Sequence, residues 1–231
     1  MEKNIIDELF DKIPLIIIPD DTKLEFECRF QIDERHYTKQ ENTLSILKTI
    51  DFAKYLINYF QQKKTLCKIE QTINFIKDKN IKQLYFINGY QQKTSQQHYQ
   101  KNNIINPIIL IGNDLKYKIS ISFEKQILEF SASDVELIRI KLRYSIAIDD
   151  NWRLDITLIK NIHSIANQSL LKQNKEQMLF PIDIDNFIDK APWNIASYIE
   201  FELEYTGEYD KLSKINFINT VDKFHNLLIL F

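Results

Sequence analysis

The sequence predicts an α+β fold: an antiparallel β-sheet closed into a barrel, polar and charged inside, with helices covering its apolar outside. Three observations predict it. Five short stretches alternate strictly between polar and apolar residues. Their polar faces are sorted by sign, with carboxylates on the first (Glu25, Glu27) and last (Glu200, Glu202, Glu204) and bases between (Arg139, Lys141, Arg143). Strands follow one another through short turns rather than intervening helices, which favours antiparallel pairing. Side chains alternate across a strand, so each stretch lays a row of like charges along one side, about 6.6 Å apart. An open sheet would leave these rows to repel in water, whereas a closed barrel lets rows of opposite sign satisfy one another.

The chain begins helically (Ile5, Ile6, Leu9, Phe10) and changes at Pro14 into the extended run Leu15–Pro19. The first carboxylate strand spans about 23–32. From Thr43 to Gln62, apolar residues from Leu44 to Phe60 recur at helical period with Thr43 as cap. Strands are expected at 65–77 and 82–88, the latter ending at the Asn88-Gly89 turn signal. The Gln-, Lys- and Asn-rich stretch 90–103 reads as a loop.

Next comes a strand with Lys116, Lys118, Ser120, Ser122 and Glu124 on one face, then a short strand near 126–131 and the Arg139 strand. In Trp152–Leu158, Arg153, Asp155 and Thr157 share a face. Residues 162–178 read as a helix, and Asp210 to about Leu228 as a closing amphipathic helix burying Leu212, Ile215, Ile218, Val221, Phe224 and Leu228.

At 231 residues, with no internal repeat or linker, the chain reads as a single domain over 1–231. A net charge of −2 supplies no global field toward nucleic acid or membrane. Cys28 and Cys67 lack metal-type spacing and read as small packed residues. No signal segment or run of membrane-spanning length is present, and the expected location is cytoplasmic. The four histidines, at 36, 98, 163 and 225, form no ligand pair. Trp152 and Trp193 read as core or cover aromatics.

Two carboxylate rows are a ligand set for a hard divalent cation, and an Arg/Lys row suits a polyphosphate. Together they point to a metal-dependent phosphohydrolase. The empty rows also predict that deleting a carboxylate raises the stability of the metal-free protein.

The ordered motifs Glu-Phe-Glu-Cys-Arg at 25–29, Arg-Ile-Lys-Leu-Arg at 139–143, Trp-Arg-Leu-Asp-Ile-Thr at 152–157 and Glu-Phe-Glu-Leu-Glu at 200–204 resemble the triphosphate tunnel metalloenzymes. They are most similar to the metal-dependent RNA 5′-triphosphatases of fungal and large-DNA-virus mRNA capping. The resemblance implies an eight-stranded antiparallel tunnel, Mn²⁺ or Mg²⁺ as cofactor, and removal of the γ-phosphate from nascent RNA, with NTP hydrolysis as a side activity. It implies Glu25, Glu27 and Glu204 as metal ligands and Glu202 as the carboxylate orienting the attacking water, with Glu200 supporting the site. It further implies Lys141 and Arg143 as the γ-phosphate clamp with Arg139 on the same row, Arg153, Asp155 and Thr157 as the set that holds the bases in place, and Lys118 and Glu124 as a phosphate-binding base and a further acidic residue.

A base from an earlier strand is also implied, for which Lys82, Lys93 and Lys101 compete. Guanylyltransferase and methyltransferase modules are the implied partners, in cis or in trans, with a viral factory or virion as an alternative location. The ending Leu228-Ile229-Leu230-Phe231 suggests the amino-terminal part of a longer capping enzyme. The competing readings are a tunnel enzyme acting on inorganic or thiamine triphosphate, and a non-catalytic barrel that binds phosphate ends or a partner.

Overall fold

Alternation sets the architecture. In the computed structural model, which describes residues 3–32, 41–63, 65–76, 80–87, 94–111, 115–127, 137–163, 180 and 196–230, every strand pairs antiparallel with its neighbours. Among the described residues, three helices, α1 (Lys3–Lys12), α2 (Glu41–Gln62) and α3 (Lys214–Leu230), accompany the strands β1 (Thr22–Ile32), β2 (Leu66–Ile76), β3 (Asn80–Ile87), β4 (Thr94–Ile111), β5 (Leu115–Ile127), β6 (Leu137–Ala147), β7 (Trp152–His163) and β8 (Tyr198–Tyr205). The order around the sheet is β1-β5-β4-β3-β2-β6-β7-β8, and the pairing of Glu27 with Glu204 and of Arg29 with Glu202 returns β8 to β1.

The outward faces make the apolar core. Phe26 of β1 meets Trp152 of β7 and Phe217 of α3 edge-on at centroid distances of 5.9 and 5.4 Å. Phe30 and Phe201 pack on Phe224 of α3 at 4.2 and 6.3 Å, and Phe52 of α2 packs on Phe201 at 5.4 Å. Such pairs add about 0.5–1.5 kcal/mol each beyond area burial. Trp152 is thus a core aromatic, and Cys28 is buried in the same layer. The helices cover the β1, β7 and β8 side, so the opposite face of these strands, with its charges, turns inward. The β6–β7 turn is fixed by Asp149, whose Oδ1 accepts from the backbone N–H groups of Asn151 and Trp152, each at 3.0 Å.

Several boundaries differ from the sequence expectation. The stretch 90–103 is no loop from residue 94 onward: Thr94–Ile111 is β4, the longest strand among the described residues. Its Gln, Lys and Asn residues gave a loop-like composition, but Lys101 faces the charged interior and Asn102 and Asn103 face solvent, so neither position calls for apolar residues. Residues 126 and 127 continue β5 instead of starting a new strand, and residues 162 and 163 finish β7 instead of opening a helix. Thr43 lies within α2, which starts at Glu41.

The closing helix begins at Lys214, after a short 3-10 turn at Tyr209–Lys211, because Ser213 caps it: its Oγ accepts from the Asn216 N–H at 3.2 Å. That phase buries Phe217, Thr220, Val221 and Phe224 and leaves Ile215 70% exposed, contrary to the expected burial of Ile215. The Asn88-Gly89 turn, Lys93, Trp193 and the rest of the 162–178 helix lie outside the described residues.

Candidate functional site

The inner face gathers charges from six strands. Glu27 of β1 stands across from Glu204 of β8 and beside Glu202, and one carboxylate oxygen from each of these three lies within 4.8 Å of the others. All three are at most 3% exposed. Glu25, 6% exposed, lies one step along the same row, across from Ser122 of β5.

Each acid is met by a base. Arg29 of β1 donates from Nε to Glu202 Oε2 at 2.6 Å and from Nη2 to Glu27 Oε2 at 3.1 Å. Lys101 of β4 bonds Glu27 Oε1 and lies 2.9 Å from Glu25 Oε2. Ser120 adds a hydroxyl at 3.4 Å from Glu27 Oε2. Arg153 of β7 grips Asp155 through two bonds of 2.8 and 3.0 Å and reaches Glu204 Oε2, whose other oxygen is 3.4 Å from Lys23. The rows are therefore interleaved with bases, not left to repel.

Burial and partners set the proton affinities. Burial works to raise Glu27, but Lys101 and Arg29 overcome it and hold this carboxyl down at about 2. Glu202 is lowered as well: Arg29, Arg143 and Lys101 outweigh burial and the Glu27 charge. Glu204 goes the other way, to about 7, because burial, Glu25 and Asp155 outweigh Arg153.

The β6 bases line the wall beside this acidic group. Arg143 lies 3.3 Å from Asp155 Oδ2, 3.5 Å from Glu70 Oε1 and 3.9 Å from Glu202 Oε1. Lys141, 7% exposed, has Glu200 Oε2 at 3.6 Å, and burial pushes its ammonium down to about 8. Arg139, at the end of the row, donates from Nε to Asn161 Oδ1 at 3.2 Å. Thr157 is buried across from Arg143 and Glu200.

The structure thus brings together Glu25, Glu27, Glu202, Glu204, Glu200, Lys141, Arg143, Arg153 and Asp155. Lys118 stands across from Arg29 but is exposed, and Glu124 is half-buried across from Lys23 and Lys101. Lys101, one of the three competing early-strand lysines, lies on the carboxylates; the backbone of Lys82 lies across from Asn74, and Lys93 is outside the described residues. Sequence reasoning assigned no role to Arg29, although it ends the Glu-x-Glu-x-Arg row, or to Glu70, whose alternating strand was recognised.

A hard divalent cation fits this donor set. Three buried carboxylates converge, and Glu202 Oε1 is buried without a hydrogen-bond partner. Glu27, Glu202 and Glu204 form the geometric group, with Glu25 held by Lys101 alongside.

Neither a protein-family model nor a curated protein matches the chain. Solved structures do. The mimivirus capping enzyme triphosphatase in its triclinic form aligns at a TM-score of 0.54 and 16% identity, over 99% of this chain and 97% of that one. The RNA triphosphatase Pct1 of S. pombe aligns at 0.53 and 14%, over 99% and 91%. The chain has the fold of these two RNA triphosphatases. Another mimivirus structure, the RNA triphosphatase domain of a trifunctional mRNA capping enzyme, aligns at 0.50 and 17% identity over 99% and 98%. Among the described residues no helix is long and apolar enough to cross a membrane.

Proposed function

We propose that this chain is a single-domain, metal-dependent RNA 5′-triphosphatase that performs the first step of mRNA cap formation, hydrolysing free NTPs as a side activity. The observation that carries the reading is the Glu27–Glu202–Glu204 group facing the Arg143–Lys141–Arg139 row, in a fold shared with capping triphosphatases. The closed ring of eight strands is read as a tunnel that admits the triphosphate from one end.

Glu27, Glu202 and Glu204 would hold Mg²⁺ or Mn²⁺, with Glu25 adjoining. The ion supplies Lewis-acid stabilisation of the γ-phosphoryl oxygens. Arg143 and Lys141 neutralise the remaining γ-phosphate charge, the main requirement of a loose phosphoryl-transfer transition state. Glu202, whose Oε2 is held by Arg29, adjoins both the ion and the attacking water and would accept a hydrogen bond from that water to hold it in line. Arg153, gripping Asp155 through two bonds, anchors the acid that Arg143 leans on, and Thr157 packs the same wall. Lys101 and Arg29 fix the carboxylates, while Lys118 and Glu124 act nearer the rim. Water oxygen bonds to the γ-phosphorus as the bond from that phosphorus to the β–γ bridging oxygen breaks, leaving a diphosphate RNA end and orthophosphate.

The product is the substrate of a guanylyltransferase. Such a module, with a methyltransferase, is the proposed partner in cis or in trans. The trifunctional mimivirus enzyme and Pct1 solved with the Spt5 CTD support that kind of assembly.

The test is release of labelled γ-phosphate from triphosphate-ended RNA, ATP and inorganic triphosphate with Mg²⁺, Mn²⁺ or EDTA. Metal-dependent release from RNA supports the proposal. Cleavage of inorganic triphosphate alone moves the protein to the polyphosphatase branch, and no cleavage leaves a binding barrel.

A further inference from the structure

The charged rows of the inner face all stop at one level. On β8 the sequence Glu204, Glu202, Glu200 gives way to Tyr198, and on β7 Arg153, Asp155 and Thr157 give way to Ile159, which is fully buried directly across from Tyr198. The β6 bases meet β8 in order. Arg143 reaches Glu202 at 3.9 Å, Lys141 reaches Glu200 at 3.6 Å, and the Arg139 guanidinium lies over the Tyr198 ring at 5.9 Å from its centroid. At the third step a carboxylate has been replaced by an aromatic ring. Asn161, the acceptor for Arg139 Nε, also hydrogen-bonds Tyr198, and half-buried Leu137 follows Arg139 along the β6 inner face.

This level has the wrong chemistry for phosphate and the right chemistry for a nucleoside. A half-buried ring with a guanidinium over it is a stacking platform for a base, and Asn161 holds both groups in place. Two-residue steps along a strand span about 6.6 Å, so Arg143 to Arg139 covers about 13 Å, room for a linear triphosphate. With the γ-phosphate beside Arg143 at the Glu27–Glu202–Glu204 end, a linear triphosphate runs past Lys141 and the first nucleoside falls at the Arg139–Tyr198 level.

We infer that Tyr198, flanked by Arg139 and Asn161, is a stacking subsite for the first nucleoside of a triphosphate-ended RNA. The inference rests on the function proposed above and adds the direction in which the substrate lies.

The test compares kcat/KM for a triphosphate-ended RNA oligonucleotide with that for inorganic triphosphate in the wild type, Tyr198→Leu and Tyr198→Phe. Tyr198→Leu is expected to lower the RNA-to-inorganic ratio about tenfold, the order of one lost stacking contact, and Tyr198→Phe to stay within about twofold of wild type. If Tyr198→Leu does not fold, Tyr198→Ser is read the same way. A leucine variant that loses both activities by the same factor, or neither, overturns the subsite alone. A wild-type protein inactive on RNA overturns the proposed function and the subsite with it.

Discussion

Arg29 Nε sits 2.6 Å from Glu202 Oε2, and the same guanidinium reaches Glu27, so one side chain of β1 holds together the acids of the first and last strands. Both acids are almost fully buried. Removing one partner of a buried pair leaves an uncompensated charge, whereas an intact pair roughly balances its own desolvation. Arg29→Ala is expected to destabilise the metal-free protein by about 3 kcal/mol in urea denaturation. The same logic reverses the sign expected from the sequence for Glu27→Ala, which now strands Lys101 and Arg29 and lowers stability. A rise in the apo melting temperature of either variant would contradict this pairing.

The ligand group can be separated by titration. Glu27, Glu202 and Glu204 converge within 4.8 Å, whereas Glu25 stands one step further along the row across from Ser122. Mn²⁺ calorimetry is expected to show that Glu202→Gln weakens binding at least about tenfold and more than Glu25→Gln does. The reverse order would restore the ligand set implied by the sequence resemblance.

Lys141 is expected to give the proposed reaction an alkaline limit. Burial lowers its ammonium from the ordinary 10.5 to about 8, so the folded protein loses this proton before the unfolded chain does. Below pH 8 the buried charge costs stability, and that cost is relieved as pH rises from about 8 to 10.5. Phosphate binding has the opposite preference, because it needs the charged form. The kcat/KM profile is expected to fall above about pH 8, and Lys141→Arg should remove that limb. An unchanged limb in the arginine variant would assign it to another group.

Gln71, on the outward face of β2, exchanges two hydrogen bonds with the backbone of Phe180, one of 2.8 Å to its carbonyl and one of 2.9 Å from its N–H. Both residues are buried. Gln71→Ala orphans both backbone groups and is expected to cost about 3 kcal/mol, with faster amide exchange at Phe180. Unchanged exchange there would show that the clamp is dispensable.

Where both faces of a strand face contrasting media, the sequence is informative. In β1, β6, β7 and β8 the inner residue is charged and the outer one apolar, so strand identity and inward face could be read directly. β4 is different, because its Lys101 meets the polar interior while Asn102 and Asn103 meet water. Alternation vanishes there, and the segment resembled a loop. The same gap hid the contact of Lys101 with Glu25 and Glu27, since only the cross-strand partners place it there. Glu202 joins Glu27 and Glu204 for a similar reason: the β1–β8 register sets that group, and register is a property of two strands. The start of α3 turned on a single hydroxyl, that of Ser213.

The most direct measurement is product analysis of RNA labelled at both the β- and γ-phosphates of its 5′ end. With Mg²⁺ or Mn²⁺ the wild-type protein is predicted to yield a β-labelled diphosphate end and γ-labelled orthophosphate, with EDTA or Glu27→Gln abolishing both. Pyrophosphate as the released product, or turnover that survives EDTA, would contradict metal-dependent cleavage of the β–γ bond.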